Sequence, residues 1–440
     1  MKHRSIILSI IIAALIATAA GCGQKESPAI DEFNSPTITN KTAGDTYPEA
    51  ADGAEGAEGV DGEAYDYGEP AGDVYKGETA GDTVPAATRD PSSESSSPPV
   101  TQPPQAGQLT AGVWSDNDNW GFFTNLVNTD LISFPSYGLN PCARTVVTVK
   151  DKDGKPIANA AVSLLNSSNE IIWRSLTDKN GKAYLFSPEN KSGTMVEAEL
   201  DGKKQTCDVQ SVKDDKQSNE KSSDSSAEIV FDVENKPYKN TDIMFIVDAT
   251  GSMSDEMVFL QSEFTAITNE LGTENTRYAV NFYRDVGDDY VTKCNEFTSD
   301  IMTLQNVLNS ESANGGGDTP EAVADILNES VNNANWDNES VKLAFLIFDA
   351  PPHKGTEDVI TAAVKEASAK GIHIVPVVSS NSERNTELFG RALAIVTNGQ
   401  YVFLTDDSGI GDSHLEPIIG YYEVRSLYDI IIDIVNEYRQ

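Results

Sequence analysis

The stretch Asp242–Met257, "DIMFIVDATGSMSDEM", decides the fold. Five consecutive apolar residues, Ile243–Val247, run into Asp248, and Thr250, Gly251 and Ser252 follow before a segment ready to start a helix. A continuous apolar, β-branched run bounded by turn residues reads as a strand buried on both faces of a parallel sheet. An acid and two hydroxyls at alternate positions beyond its end can aim three oxygens at one point.

The rest of the chain from about Tyr238 to Gln440 repeats this alternation. Further strands read at Tyr278–Tyr283, Leu343–Phe348, His373–Val378 and Tyr401–Leu404. Between them lie helical segments such as "DEMVFLQSEFTAITNEL", "PEAVADILNESVNNA" and "TEDVITAAVKEASAKG", with a last helix over about Glu423–Tyr438. Strands alternating with helices make residues 238–440 a doubly wound α/β domain, which places ligands at the carboxyl ends of its strands.

Three loops at those ends carry chemistry. The first is "DATGS" with Asp248, Thr250 and Ser252; the second is "GGGDTPEAV", opening a helix at Pro320, with Asp318 and Thr319. The third is "FDAPPH", with Asp349 at a strand end and His353 at the rim. Neighbouring strands stand about 5 Å apart, so the three loops can converge. Every candidate donor is a carboxylate or hydroxyl oxygen, which selects Mg²⁺, Ca²⁺ or Mn²⁺ over softer metals. A divalent ion would also relieve the repulsion between acids held so close.

These loops, in this order, resemble the metal-ion-dependent adhesion site of von Willebrand factor A domains. The agreement extends to "YRDVGDDY" after the second strand and to "ALAIVTNGQYVFLTDD". The resemblance implies Asp248, Thr250 and Ser252 as first-motif ligands, Thr250 replacing the commoner Ser with its hydroxyl kept. It implies Asp349 as the third-motif acid, often bonded through water, and either Asp318 or Thr319 at the place of the family's central Thr. Arg284 and Asp285 read as braces of the site.

Upstream, residues 142–235 change pattern. "ARTVVTVKD", "AAVSLL", "IIWRSL", "KAYLF" and "AEIVFDV" are short strands separated by Asp, Asn and Gly turns, the pattern of a β-sandwich. The order of "VTVKDKDGKP" and "TDKNGKAYLF" resembles the carboxypeptidase-regulatory-like and Cna B-type immunoglobulin-like modules. A disulfide clip between Cys142 and Cys207 is expected in such a small sandwich, against the alternative of two independent buried thiols; Cys294 is left as a lone thiol. Residues 109–141 form an aromatic-rich lead-in, read as a lid or helix packed on the next domain.

The first 21 residues read as an export signal: Lys2 and Arg4 precede an apolar run, Ile6–Ala20. Its ending, "AAGC", resembles the lipobox of bacterial lipoproteins, which makes Cys22 the lipidated first residue on the extracytoplasmic face of the cell membrane. Residues 22–108 follow as an acidic, Gly-, Ser- and Pro-rich tether, with 17 acids against 4 bases from Gly23 to Gln108. Such a segment cannot bury enough apolar surface to offset its chain entropy. Across the chain, 69 Asp and Glu against 32 Lys and Arg argue against nucleic acid and against electrostatic docking on anionic lipid.

The leading functional expectation is a binding protein, not an enzyme, that captures an extracytoplasmic protein partner by a carboxylate on the ion. An envelope assembly scaffold is the alternative. A remoter one is phosphoryl transfer with Asp248 as nucleophile, because "DATGS" echoes the phosphorylation loop of P-type ATPases. That chemistry needs a Lys-bearing loop and a Gly-Asp-Gly-x-Asn-Asp motif, whereas "GIGDSH" offers only Gly411 and Asp412. The glycine run Gly315–Gly317 lacks the Lys-Ser/Thr ending of a phosphate-cradling loop.

Overall fold

A computed structural model of the chain describes residues 109–129, 131–133, 139, 141–188, 191–211, 224–317, 319–409 and 412–439. The signal segment, Cys22, the tether and Asp318 lie outside the described residues. Among the described residues, no helix is long and apolar enough to cross a membrane.

The lead-in supplies a strand, β1 (Thr110–Trp114), and a helix, α1 (Trp120–Asn128). The chain then builds eight strands: β2 (Arg144–Asp151), β3 (Ala161–Leu165), β4 (Ile171–Leu176), β5 (Lys182–Phe186), β6 (Met195–Leu200), β7 (Lys203–Asp208), β8 (Gln210–Ser211) and β9 (Ser225–Phe231). They form two four-stranded sheets, ordered β5-β2-β9-β8 and β4-β3-β6-β7. Alternate residues such as Val147, Val149, Val162, Leu164, Val196 and Ile229 are buried, as the period-2 pattern requires. Tight turns at Asp151 and Asp178 are held by their own carboxylates, each accepting two backbone N–H groups.

The expected clip does not form. Cys142 and Cys207 are thiols in the structure. Cys142 precedes β2 of one sheet, while Cys207 lies in β7 of the other and turns its Sγ to the Asp208 carbonyl at 3.3 Å.

The α/β part runs β10 (Asn240–Asp248), α2 (Ser254–Leu271), β11 (Thr276–Tyr283), β12 (Thr292–Lys293), α3 (Ile301–Asn309), α4 (Val323–Asn332), β13 (Ser340–Phe348), α5 (Glu357–Lys370), β14 (Ile372–Val378), α6 (Arg384–Thr397), β15 (Tyr401–Leu404), β16 (Arg425–Ser426) and α7 (Leu427–Tyr438). Its sheet has the order β12-β11-β10-β13-β14-β15-β1-β16, with the strands from β11 to β15 parallel. Along β10, Met244 and Ile246 enter the core beneath α4, α5 and α6, while Ile243, Phe245 and Val247 enter the one beneath α2, α3 and α7. Helices on both faces explain why the strand must be apolar at every position. The order reverses at β10, with β11 on one side and β13 on the other, so the switch point lies between β10 and β13.

The sheet also takes a strand from outside residues 238–440. β1 pairs antiparallel with β15, from Ala111 opposite Leu404 to Trp114 opposite Tyr401. The two-sheet module is therefore inserted in sequence between β1 and β10, two strands of one sheet, and the lead-in is not merely a lid. A buried ion network holds the junction. Arg391, fully buried on α6, donates from Nε and Nη2 to Asp116 at 2.8 and 2.7 Å and from Nη1 to Glu387 at 3.1 Å. Arg144 of β2 stacks 3.6 Å above the Trp120 ring and pairs with Asp224. The two-sheet module packs on α5, where Trp173 Nε1 donates to Ser368 Oγ at 3.1 Å.

Candidate functional site

The site forms where β10 and β13 end side by side, Val247 in register with Ile347. Asp248 is fully buried. Its Oδ1 accepts from the Thr250 N–H at 2.9 Å and the Thr250 hydroxyl at 2.6 Å, so the turn after the strand is cinched by its own acid. Thr250 Oγ1 stands 3.4 Å from Ser252 Oγ, which is exposed. The Asp-x-Thr-x-Ser spacing thus makes one string of oxygens from a buried floor to an open lip.

The glycine run lies against this turn. Asn314 N donates to the Ala249 carbonyl at 2.9 Å and Gly251 N to the Gly315 carbonyl at 3.2 Å. Asp288 accepts from Gly316 N at 2.8 Å, and a Cβ on Gly315 would fall 2.4 Å from the Asp288 carboxyl. Gly315 and Gly316 have φ of +82° and +69°, a region that favours glycine. The run is therefore a backbone lace tied to Asp288 and to the first loop. Glu311 fixes its start, bound by Arg284, Tyr290 and Lys293.

The helix expected from Pro320 begins later, at Val323. Residues 320–322 instead run beside the third loop: Glu321 N donates to the Pro351 carbonyl at 3.1 Å, and Glu321 bridges Pro352. Thr319 is exposed on the same cleft, whose volume is about 400 Å³ and whose lining includes Thr250, Ser252, Glu321 and Asp349. Asp349 is buried and follows β13. His353 stands off at the rim, its Nε2 2.5 Å from Asp285 Oδ1.

No cation among the described residues pairs with the acids of the floor. Asp248 Oδ2, Glu256 Oε2, Glu321 Oε2 and Asp349 Oδ1 are buried without a hydrogen-bond partner, and they are the only carboxylate oxygens in that condition among the described residues. Native interiors leave few buried polar atoms unpaired, so four at one end of one sheet set that end apart as an acidic pole with no balancing cation among the described residues. Burial first, and then the charge of Asp349, pushes the Asp248 carboxyl up to about 7. Burial also raises Asp349, opposed by the Ser252 hydroxyl and reinforced by Glu256. Glu321 is pushed up to about 9 by burial and then by Asp248, Asp285, Asp349 and Asp288. The Tyr283 hydroxyl is held well above the usual phenol range by burial and then by Asp248.

Among the described residues, no three His, Cys, Asp or Glu side chains converge at the spacing of direct metal ligation. The hydroxyls of Thr250, Ser252 and Thr319 would supply part of any coordination shell, and the donor set with its unpaired oxygens fits a hard divalent ion. Glu256 and Glu321 escaped the motif reading. Glu256 lies in the first turn of α2, and its Oε1 accepts from Ser380 at 3.2 Å (N–H) and 2.5 Å (hydroxyl). Glu321 looked like a first-turn residue of α4; its position two residues after Thr319 was the available signal.

Residues 242–411 match the family profile of the von Willebrand factor A domain. Domains of this family are generally interaction modules and commonly bind divalent metal ions. The chain is 25 % identical over 183 residues to an ariadne-like RING finger protein of Acanthamoeba polyphaga mimivirus, a match over 37 % of this chain. The chain spans 18 % of the length of that curated relative. Among solved structures, the conserved hypothetical protein BatB of Bacteroides thetaiotaomicron is similar at 14 % identity, covering 45 % of this chain and 98 % of its own, with a TM-score of 0.33.

Proposed function

We propose that this chain is a lipid-anchored, extracytoplasmic binding protein whose α/β domain captures a protein partner through a divalent cation. The observation that carries the reading is the set of four unpaired buried carboxylate oxygens at the switch point of the sheet. Asp248, Thr250, Ser252, Thr319 and Asp349 would hold the ion, which supplies a hard Lewis-acid position for an oxygen of the partner. Asp248 is the fixed member, because it ends a strand clamped by both neighbours. Thr250 ties that carboxylate to the lip, and exposed Ser252 and Thr319 border the open side. A carboxylate of the partner fits the vacant position, and nothing at the site needs to be turned over. Cys22 carries the lipid, and the acidic tether holds the two-sheet module, which resembles Cna B-type modules, and the α/β domain away from the membrane.

The test is affinity capture from intact envelopes with the full-length chain, in Mg²⁺ and in chelator, beside Asp248→Asn. Partners recovered by the wild type in Mg²⁺ alone, and not by the variant, support the reading. Equal recovery in chelator favours the assembly scaffold.

A further inference from the structure

We propose that the cleft at the amino ends of β13 and β14, where the two-sheet module meets the α/β domain, is a second binding site, which takes a small carboxylate anion on Lys342. It lies at the end of the sheet opposite the cation cleft and does not depend on the metal reading. Its volume is about 110 Å³, and both parts of the chain wall it: Leu176, Asp178 and Tyr184 from the module, Tyr238, Lys342 and Tyr438 from the α/β domain. Lys342 is 2 % exposed and stands in register with Asp242 of β10. That acid is engaged elsewhere. Arg277 donates to it from Nε and Nη2 at 2.9 and 2.6 Å, and Asp337 N donates at 2.7 Å. Lys342 Nζ makes one hydrogen bond, to the Ser340 carbonyl at 3.0 Å, and lies 5.6 Å from the centre of the Tyr238 ring.

An ammonium carries three donors, and a buried charge is costly unless it is paired. Among the described residues, no carboxylate stands within ion-pair distance of Lys342, although the chain has 69 Asp and Glu for 32 Lys and Arg. Burial draws its ammonium below the ordinary value, against the weaker pull of Asp242 and Asp337. The acids on the cleft are already satisfied or outside it. Asp178 accepts from the N–H groups of Asn180 and Lys182 and from Asn398 Nδ2, Glu437 accepts from Gln400 Nε2, and Asp118 is exposed. A second cation of the wall, Arg439, has its Nε buried without a hydrogen-bond partner. An anion entering the cleft would therefore meet unfilled cationic donors. A cavity of about 150 Å³ holds benzene, so this one admits roughly three to six non-hydrogen atoms. Tyrosine rings and Leu176 on the walls suit a short apolar body behind the charge, which a carboxylate has and inorganic phosphate lacks. Because the walls come from both parts, an occupied cleft would also tie the module to the α/β domain.

The experiment titrates propionate, its neutral isostere propionamide and inorganic phosphate into the metal-free, full-length wild type and Lys342→Met. Saturation-transfer NMR and calorimetry read binding, and the urea midpoint reads folding. The wild type should bind propionate saturably, half-filled below about 10 mM, and its urea midpoint should rise with propionate. Lys342→Met should stay folded and bind about tenfold or more weakly, and propionamide should not bind the wild type. If Lys342→Met does not fold, Lys342→Gln, which keeps a neutral donor, should show the same loss. No saturable binding by the wild type overturns the inference, and so does equal binding by the folded variant or by propionamide. Phosphate binding that needs Lys342, without propionate binding, also overturns it, because the site would then select a different anion.

Discussion

Replacing Asp248 by Asn should stabilise the metal-free protein while removing its response to divalent ions. The side chain is fully buried, with Oδ1 satisfied by two Thr250 donors and Oδ2 satisfied by nothing. An asparagine can keep the carbonyl oxygen in the Oδ1 position and turn its amide toward the neighbouring acids. The carboxyl is raised from 3.8 to about 7, so above pH 7 its ionisation opposes folding by about 4 kcal/mol. The unfolded chain loses this proton near its ordinary value and the folded chain only near 7. Between those limits the native state binds more protons, and stability falls as pH rises. The variant should therefore exceed the wild type by up to about 4 kcal/mol at pH 8 in chelator, and by only about 1.5 kcal/mol at pH 5. Urea unfolding at both pH values measures the gap, and repeating it in 10-fold steps of Mg²⁺ should raise only the wild-type midpoint. A variant less stable than the wild type at pH 8 in chelator would refute the argument, because the acid would then be satisfied by the protein alone.

Other substitutions test separate parts of the account. Thr250→Ser should retain ion binding, whereas Thr250→Val keeps the shape, loses the hydroxyl bonded to Asp248 and should weaken binding at least about tenfold in the same titration. Asp116→Ala removes two charged bonds from fully buried Arg391, which keeps Glu387, and should cost about 2–3 kcal/mol in urea unfolding; a loss under about 1 kcal/mol would deny that the network holds β1 to α6. Cys22→Ser should move the protein from the membrane pellet to the soluble exported fraction, and continued sedimentation with membranes would contradict the lipid anchor.

What could be read from sequence follows from how local each signal is. The five parallel strands were legible because burial on both faces demands apolar residues throughout, and each observed strand contains its expected span. Asp248, Thr250 and Ser252 were legible because their spacing within one turn is itself the geometry. β1 was not, since Thr110–Trp114 finds its partner at Tyr401–Leu404, almost 300 residues on, and its Trp114 blends into the aromatic cluster. Glu321 was masked by an adjacent helical pattern whose start is delayed by the contact with Pro351. The cysteine pairing failed because two thiols in one small module need not face each other. Cys142 leads into a strand of one sheet, and Cys207 lies in a strand of the other.

The most direct measurement is a calorimetric titration of the full-length chain with Mg²⁺, Mn²⁺ and Ca²⁺, beside the same titration of Asp248→Asn. The account predicts saturable binding of one ion per chain by the wild type and no binding by the variant with its fold intact. An absence of saturable heat for all three ions in the wild type, or equal binding by the variant, would contradict a cation site at the ends of β10 and β13.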